Sequence, residues 1–474
     1  MGKYRYLAKN VGLMTIGQFG SRILSFLLVP LYTSILSTAD YGTFDFYSTI
    51  IQLLVPVLTL NIYDGILRFA LDREEDINQV YAVGCSVFLA GVFVLLLLVA
   101  ANLWIGFLPI VNDYPWLFFL YFIVYALSLL LNNFARGVDD VTATVLSGII
   151  STFAMAVFNI WFLVGLHMGL SGYFWANIGG MGAGCLLYIF KLRLWQYPIK
   201  LSDFGLCRRM VRYSSPLVLN SVSWWLNSAS SRYIVIGIEG IAANGLFSAA
   251  GKIPSIISMA ANLFNSAWVM SSVKEFDPKD KDGFFSKTYR IFSSGIMICC
   301  ALLIAGSCIL GEFLYQGQFY TAWRITPLLT IGVSFSAIAG YLGCIFAAAK
   351  KTKVYTYSTF AGFIANVIIG VILTIPFGIM GTATATALAN YIILAIRFIQ
   401  IRGFMHINMK LVREHIVYAL LFIESFVVLN VEGDLLWYIP ILIIVFVVIV
   451  LYRHELIDIY KKLIVNHKIK DVDM

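Results

Sequence analysis

Long apolar stretches recur from one end of the chain to the other, and they constrain the fold more than any other feature. The stretch at 80–107, VYAVGCSVFLAGVFVLLLLVAANLWIGF, contains no charged residue. About 20 such residues in a helix span the hydrocarbon core of a bilayer. Only 12% of the 474 residues are charged, against about 25% in soluble domains. The sequence therefore predicts an all-α polytopic membrane protein.

The apolar stretches predict about fourteen transmembrane helices. The predicted helices 1 to 14 cover residues 11–36, 41–70, 80–107, 115–136, 141–166, 170–195, 210–238, 244–272, 288–314, 322–348, 353–376, 379–402, 411–430 and 435–453. The basic segment MGKYRYLAKN leads into helix 1 without a cleavage signal, so we expect helix 1 to be retained. All connecting loops are short, which leaves no room for a soluble catalytic domain.

The positive charges predict the orientation. Basic clusters precede helix 1 and follow every second helix, and only Arg22, Arg232, Lys252 and Arg324 of the 33 Lys and Arg fall outside this pattern. Arg397, near the end of predicted helix 12, is counted in the cluster that follows this helix. Cytoplasmic loops of membrane proteins are enriched in Lys and Arg. We expect a multi-pass membrane protein with both termini in the cytoplasm, and no nucleic-acid partner.

An internal repeat divides the first twelve helices. Aligning DYG (40–42) with ANG (243–245) gives an offset of 203 residues, and a turn rich in glycine follows at 169–172 and at 378–381. Six helices per copy give both copies the same orientation, related by an axis along the membrane normal. The predicted domains are an N-lobe (1–200), a C-lobe (201–403) and a segment with helices 13–14 and a cytoplasmic tail (404–474), with a central cavity between the lobes.

Four helices carry a polar stripe at helical spacing, which lipid would penalise. The stripes lie on helices 1, 2, 7 and 8, and we expect them to face this cavity. The candidate substrate-binding residues are Arg22, Arg232, Lys252, Gln18, Ser25, Asp45, Thr49, Gln52, Asn220, Asn227 and Ser248. The alternative is structural: an intramembrane Arg such as Arg22 can pair with Asp45 and only support packing. No catalytic or metal-binding residue is predicted.

Other polar residues favour structural interpretations. Asp64 and Arg68 are spaced for a local ion pair on helix 2, and Asp139 and Asp140 are expected only to solvate a loop. Pro30, Pro56, Pro216 and Pro254 lie within predicted helices and are candidate bending points. Most aromatic side chains are expected to face lipid or the interfacial belts.

The charge of the residues predicted to line the cavity indicates an anionic substrate. Its strongest candidates are the cations Arg22, Arg232 and Lys252, and Asp45 is the main acidic residue among them. Arginine suits phosphate because its fork donates two parallel hydrogen bonds.

Two lobes of six helices plus two C-terminal helices resemble the Wzx-type flippases of O-antigen, capsule and exopolysaccharide units. These belong to the multidrug/oligosaccharidyl-lipid/polysaccharide exporter superfamily. The local similarity includes LVPLYTSILSTADYGTFDFYSTIIQLLVPVL (28–58). SRILSF (21–26) is similar to a segment of lipid II flippases in which the arginine lines the central cavity, which carries over to Arg22 alone.

The resemblance implies an alternating-access flippase. It would translocate undecaprenyl-pyrophosphate-linked oligosaccharide from the cytoplasmic to the outer leaflet. Partners implied are this lipid-linked saccharide, the bilayer and other membrane proteins of polysaccharide assembly. No cofactor is expected. The sequence does not decide whether H⁺ or Na⁺ is coupled to transport. The alternatives are a cation-coupled multidrug exporter, for which acidic cavity residues would be expected, and a membrane polysaccharide polymerase, which would need a large catalytic external loop.

Overall fold

The computed structural model describes residue 20 and residues 24–72, 74–197, 203–431 and 435–458. These residues form helices and no β-strand. Eight helices, or nine if one bent pair is counted as a single span, are long and apolar enough to cross a membrane. The prediction of an all-α polytopic membrane protein is confirmed.

The chain divides into two compact units, Met1–Ala229 and Ser230–Met474. The boundary lies inside one continuous helix, Phe204–Glu239, which corresponds to predicted helix 7. The lobes predicted at 1–200 and 201–403, the axis that relates them and the cavity between them stay predictions.

In the first unit, predicted helices 1 to 6 are all represented. Their described α-helical parts are Val29–Ile35 (helix 1), Thr38–Leu58 and Ile62–Ala70 (helix 2), Ile77–Ile105 (helix 3), Pro115–Gly137 (helix 4), Val141–Asn159 (helix 5) and Gly169–Lys191 (helix 6). Pro109–Asn112 is a short additional helix, and helix 5 continues as a π-helix over Ile160–Gly165. Helices 5 and 6 pack along each other, and helix 4 packs against helices 2 and 6.

In the second unit, predicted helices 8 to 14 are represented. Their bounds are Ile241–Ala250 and Ser255–Lys274 (helix 8), Phe284–Ala305 and Ser307–Leu314 (helix 9), Thr326–Ala348 (helix 10), Thr352–Ile401 (helices 11 and 12), Leu411–Val428 (helix 13) and Tyr438–Leu451 (helix 14). Helix 10 packs against helices 8, 9 and 11–12, and helices 13 and 14 pack against helix 9.

Side-chain caps fix several helix starts. Ser37 and Asp40 form a capping box, because the Ser37 hydroxyl accepts from the Asp40 N–H (3.1 Å) and the Asp40 carboxylate accepts from the Ser37 N–H (3.2 Å). Such caps satisfy backbone donors that have no partner within the helix. Asp140 likewise accepts from the Ala143 N–H (2.8 Å) and pairs with Lys191 (3.4 Å). The expectation that Asp140 only solvates a loop is therefore wrong.

Three predicted helices are interrupted. Helix 2 breaks at residues 59–61 with a bend of 57°, and helix 8 breaks at residues 251–254. Helix 9 breaks at Gly306. Pro56 and Pro254 lie at or near two of these breaks, whereas Pro216 lies inside a continuous helix. Proline removes one backbone donor and favours a break nearby without forcing one.

The turn between helices 11 and 12 depends on Gly378. Its backbone angles, φ 56° and ψ −141°, are non-helical, and only glycine adopts this region readily. The prediction of two helices meeting at the glycine-rich turn of residues 378–381 is confirmed.

Many aromatic side chains form buried clusters instead of facing lipid. In the first unit the rings of Tyr32 (helix 1) and Phe44 (helix 2) contact Tyr173 of helix 6. Phe44 and Tyr121 (helix 4) contact the neighbouring Phe174. In the second unit the Trp268 ring stacks on Tyr341 at 4.6 Å. Such contacts bury large apolar areas.

Candidate functional site

Gln18 and Arg22 lie outside the described residues, and Ser25 is the nearest described candidate on helix 1. Its side chain is half-buried. The role predicted for the polar face of helix 1 therefore stays a prediction.

The polar stripe of helix 2 begins at Asp45, which is half-buried. The Thr49 hydroxyl donates to the Asp45 carbonyl oxygen at 2.7 Å, and the Thr49 side chain is buried. Gln52 is exposed and donates to the Ser48 hydroxyl at 3.3 Å. Tyr121 of helix 4 donates to the same hydroxyl at 3.5 Å. Three of the candidates thus lie along one hydrogen-bonded edge of helix 2.

The first part of helix 7 packs on this edge. The Trp225 indole N–H donates to the Thr49 carbonyl oxygen at 2.7 Å. Asn220 is exposed and Asn227 is half-buried. Ser221, next to Asn220, donates to the Asn61 side-chain oxygen at 3.4 Å. The structure therefore brings the candidates of helix 2 and of this part of helix 7 into one neighbourhood of the first unit.

Asn61 marks the break in helix 2. Leu60 and Asn61 both have positive φ (50° and 54°), a conformation in which asparagine is more common than leucine. The Asn61 amide donates to the Asp64 carboxylate at 2.6 Å. Arg68 instead pairs with Asp72 at 3.6 Å, so the predicted Asp64–Arg68 pair is wrong. The break reorients Asp64 toward Asn61 because the chain no longer follows one helix axis.

Lys252 lies in the break of helix 8. It and Ser248 are half-buried, and Ser255 donates from its hydroxyl to the Lys252 carbonyl oxygen at 2.5 Å. Helix 8 was predicted to be continuous, but it is interrupted at residues 251–254; the polar face predicted for Ser248 and Lys252 stays a prediction. A turn with Pro254 takes the place of one helical turn, and Lys252 belongs to this turn.

Arg232 lies on the last part of helix 7, beside a polar contact between three helices. Ser231 is buried and its hydroxyl lies 2.9 Å from that of Thr386 on helix 12. Asn366 of helix 11 donates to the hydroxyls of Ser230 and Ser231 at 2.7 and 2.9 Å. Arg232 itself is half-buried. This contact holds the end of helix 7 that carries Arg232 against helices 11 and 12.

Arg397 is a buried cation whose role the sequence interpretation missed. It was counted in the basic cluster at the end of helix 12, but its side chain is 3% exposed. Its guanidinium donates to the hydroxyls of Ser358 and Thr359 (both 3.0 Å) and to the carbonyl oxygen of Ala339, and it lies over the Tyr355 ring. Neutral acceptors on helices 10 and 11 thus satisfy it, which indicates a structural role.

A buried ionic cluster at the start of helix 13 was also missed. Glu414 accepts from Arg413 (3.1 Å), from the Ser293 hydroxyl (2.6 Å) and from the Tyr452 hydroxyl (2.9 Å). Arg413 also donates to Glu455 at 2.7 Å. Burial raises the pKa of Glu455, but the hydrogen bonds to Arg413 and to the backbone and the charges of Arg413 and Lys410 together outweigh it, so the net pKa is lowered. The adjacent Arg413 and Glu414 were the available signal, but Arg413 was counted only in a basic cluster and Glu414 was not considered.

A model of the family described as "Polysaccharide biosynthesis protein" matches residues 7–270. A search of curated proteins gave no match. Several solved structures share the fold. One described as "Lipid II flippase MurJ, inward closed conformation" aligns with a TM-score of 0.69 and 15% identity, over 95% of this chain and 99% of that one.

An inward-facing multidrug resistance MATE family transporter of the MOP superfamily aligns with a TM-score of 0.66 and 13% identity, over 81% of this chain and 94% of that one. A MOP superfamily transporter from Pyrococcus furiosus is described as having a binding pocket of reverse polarity. It aligns with a TM-score of 0.56 and 12% identity, over 83% of this chain and 95% of that one. The described helices therefore have the fold of MOP superfamily transporters.

Proposed function

Because the chain belongs to the polysaccharide biosynthesis protein family, we propose that it is a flippase for lipid-linked oligosaccharides. Its substrate would be an oligosaccharide joined by pyrophosphate to undecaprenol. It would move this molecule from the cytoplasmic to the outer leaflet of the bacterial inner membrane, for assembly of a capsule, an exopolysaccharide or an O-antigen. Alternating access of two lobes would expose the site first to one side and then to the other.

The extent of the structural similarity supports a flippase over a drug exporter. The similarity to the lipid II flippase covers 95% of this chain, whereas that to the inward-facing MATE transporter covers 81%. Helices 13 and 14 are present and pack on helix 9. Twelve helices would suffice for a drug exporter, so the two additional helices favour a substrate with a long lipid tail.

The candidate cations match the charge of a pyrophosphate. Arg232 and Lys252 are half-buried, and Arg22 is predicted to lie on the polar face of helix 1. Their side chains would neutralise the pyrophosphate or acidic sugars, and Gln52, Asn220 and Asn227 would bond sugar hydroxyls. These cations stay with the protein while the anion crosses.

The membrane potential can supply part of the driving force. An anion that moves outward travels toward the positive side, and each net charge gains about 2.3 kcal/mol per 100 mV. This direction follows from the proposed orientation, with both termini in the cytoplasm. Other membrane proteins of polysaccharide assembly are proposed partners, since they would supply and consume the lipid-linked unit.

Complementation of flippase-deficient bacteria tests the proposal. Strains that each make one defined repeat unit are given the full-length chain, and surface polysaccharide is measured. We expect at least one strain to regain surface polysaccharide. An Arg324→Ala variant, altered at an exposed arginine outside the candidate set, serves as a matched control and should also restore it.

A multidrug assay provides the opposing result. Cells that lack their own exporters are loaded with cationic dyes, and dye efflux is compared with and without the chain. Failure of every saccharide strain together with active dye efflux would overturn the flippase proposal in favour of a cation-coupled exporter.

A further inference from the structure

Glu424 is a buried carboxyl that none of the proposed transport steps uses. It lies on helix 13 (Leu411–Val428), and its exposed fraction is 0%. Neither of its carboxyl oxygens has a hydrogen-bond partner among the described residues. A buried polar group without a partner is destabilising even when it is neutral, so Glu424 does not stabilise the fold.

The neighbouring helices offer Glu424 no positive charge. Helix 13 packs against helices 9, 10 and 14. Helix 9 brings the thiol of Cys300 within electrostatic range of Glu424. Its cations Lys287 and Arg290 lie at least ten residues before Cys300, about 15 Å along the helix. Helix 10 (Thr326–Ala348) and helix 14 (Tyr438–Leu451) contain no Asp, Glu, Lys, Arg or His.

Glu414 on the same helix is a buried carboxyl that does have hydrogen-bond partners. It is also 0% exposed, but it accepts hydrogen bonds from Arg413, Ser293 and Tyr452. Ten residues separate it from Glu424, about 15 Å along the helix at 1.5 Å per residue. The Arg413 cluster therefore does not reach Glu424.

An isolated carboxylate cannot stay charged in these surroundings. Moving an unpaired charge into an apolar interior costs several kcal/mol, and the group takes up a proton instead. An ionisable residue inside a membrane is for this reason a candidate functional site. In the conformation described here, the chemistry of the site requires Glu424 in its neutral, protonated form.

The position of Glu424 supplies a route for this proton. It lies four residues before the end of helix 13 at Val428, which is about 6 Å or roughly one turn. In the proposed orientation, this end of helix 13 faces the outside. A small separation at this end of the helix would expose the carboxyl to external water.

We propose that Glu424 is a proton-binding site of this transporter. It holds a proton while helix 13 is packed against helices 9 and 10, and it releases and regains this proton when the outer end of helix 13 opens during the transport cycle. The proposal rests on the proposed function only for its place in that cycle, because proton binding at Glu424 is independent of the substrate.

Dicyclohexylcarbodiimide, an apolar reagent that modifies protonated carboxyls, tests proton binding on the full-length chain in membrane vesicles. Peptide mass spectrometry then gives the modified fraction of each carboxyl between about pH 6 and about pH 10, a range that extends one unit above the pKa of about 8–9 documented for buried Glu residues. We expect modification at Glu424, falling at least tenfold across this range, and none at Glu414. Absence of modification at Glu424, or modification that does not change with pH, would overturn the proposal.

A transport assay tests proton exchange. In cells that regain surface polysaccharide, Glu424→Gln mimics the permanently protonated side chain, and Glu312→Gln, at an exposed glutamate, is the matched control. We expect the transport rates of the wild type and of Glu312→Gln to change with external pH. The transport rate of Glu424→Gln should be at least tenfold lower than that of the wild type, or should not change with pH. If the transport rate of Glu424→Gln depends on pH as that of the wild type does, the proposed proton exchange at Glu424 is overturned.

The two proposals fail separately. If no strain regains surface polysaccharide but Glu424 is modified in a pH-dependent way, the flippase proposal fails and proton binding stands. If polysaccharide is restored but Glu424 is never modified, the flippase proposal stands and the proton site is rejected.

Discussion

The proposed transport mechanism depends most on Arg22. An arginine near the centre of a membrane helix costs about 2.5–3.5 kcal/mol on insertion scales, so it requires water, a partner or a ligand nearby. We expect Arg22→Ala to abolish surface polysaccharide at near-normal abundance in the membrane. Arg22→Lys should keep part of the activity, because the charge survives while the bidentate fork is lost.

Surface polysaccharide and membrane abundance are measured together for both Arg22 variants. Arg324→Ala provides the comparison with loss of an exposed arginine. Normal transport by Arg22→Ala, or its failure to accumulate in the membrane, would mean that Arg22 only supports packing.

Gly91 allows helix 3 to approach the break in helix 2. A Cβ atom at this position would lie 2.7 Å from the Leu58 carbonyl oxygen, a backbone atom that cannot rotate away. We expect Gly91→Ala to destabilise the protein by about 1–3 kcal/mol, measured as a lower thermal unfolding midpoint in detergent.

Gly182→Ala is the control for Gly91, because it also lies inside a helix (Gly169–Lys191) and a Cβ there meets no atom within 4 Å. Alanine favours a helix over glycine by up to about 1 kcal/mol, so this variant should match or exceed the wild type. Equal midpoints for the two variants would contradict the close approach of helices 2 and 3.

The ends of helices 13 and 14 are joined through Arg413 and Glu455. The pKa of Glu455 is lowered in the folded protein, so its contribution to stability is complete above its ordinary pKa of 4.5 and is lost as the pH falls through the lowered value. Glu455→Gln should remove about 1.5–3 kcal/mol at neutral pH and weaken the dependence of the unfolding midpoint on pH below about pH 4.5.

Thermal unfolding between neutral and acidic pH measures this loss, and Glu312→Gln controls for removal of an exposed carboxyl. If the wild type and Glu455→Gln lose stability in parallel on acidification, other groups set the pH dependence.

For the whole molecule, helices 13 and 14 should contact the lipid tail of the substrate. They pack on helix 9, and outward side chains such as Phe426, Leu442 and Phe446 are each more than 60% exposed. We expect a photoactivatable polyprenyl lipid to label these two helices, identified by mass spectrometry of the peptides. Ordinary membrane lipid with the same photoactivatable group is the control, and equal labelling by both, or labelling confined to other helices, would count against this role.

The sequence by itself determined the fold class and the existence of the helices. Apolar runs of membrane-spanning length leave few alternatives, because backbone groups in lipid must be bonded within a helix or a closed barrel. The glycine-rich turn at Gly378 was also readable, since its positive φ favours glycine. The hydropathy of a segment is averaged over many residues, so a few atypical residues do not change the prediction of a membrane helix.

Only the tertiary structure decided where helices break and which polar groups are satisfied. Lys252 was predicted on a helical face but lies in a turn, and Asp64 bonds to Asn61 instead of pairing with Arg68. Arg397 and Glu424 are both buried, yet the first has acceptors on two neighbouring helices and the second has no partner in the described part of the chain. Helical periodicity gives the face of a residue, but the partner comes from another helix, and its position depends on packing between segments far apart in sequence.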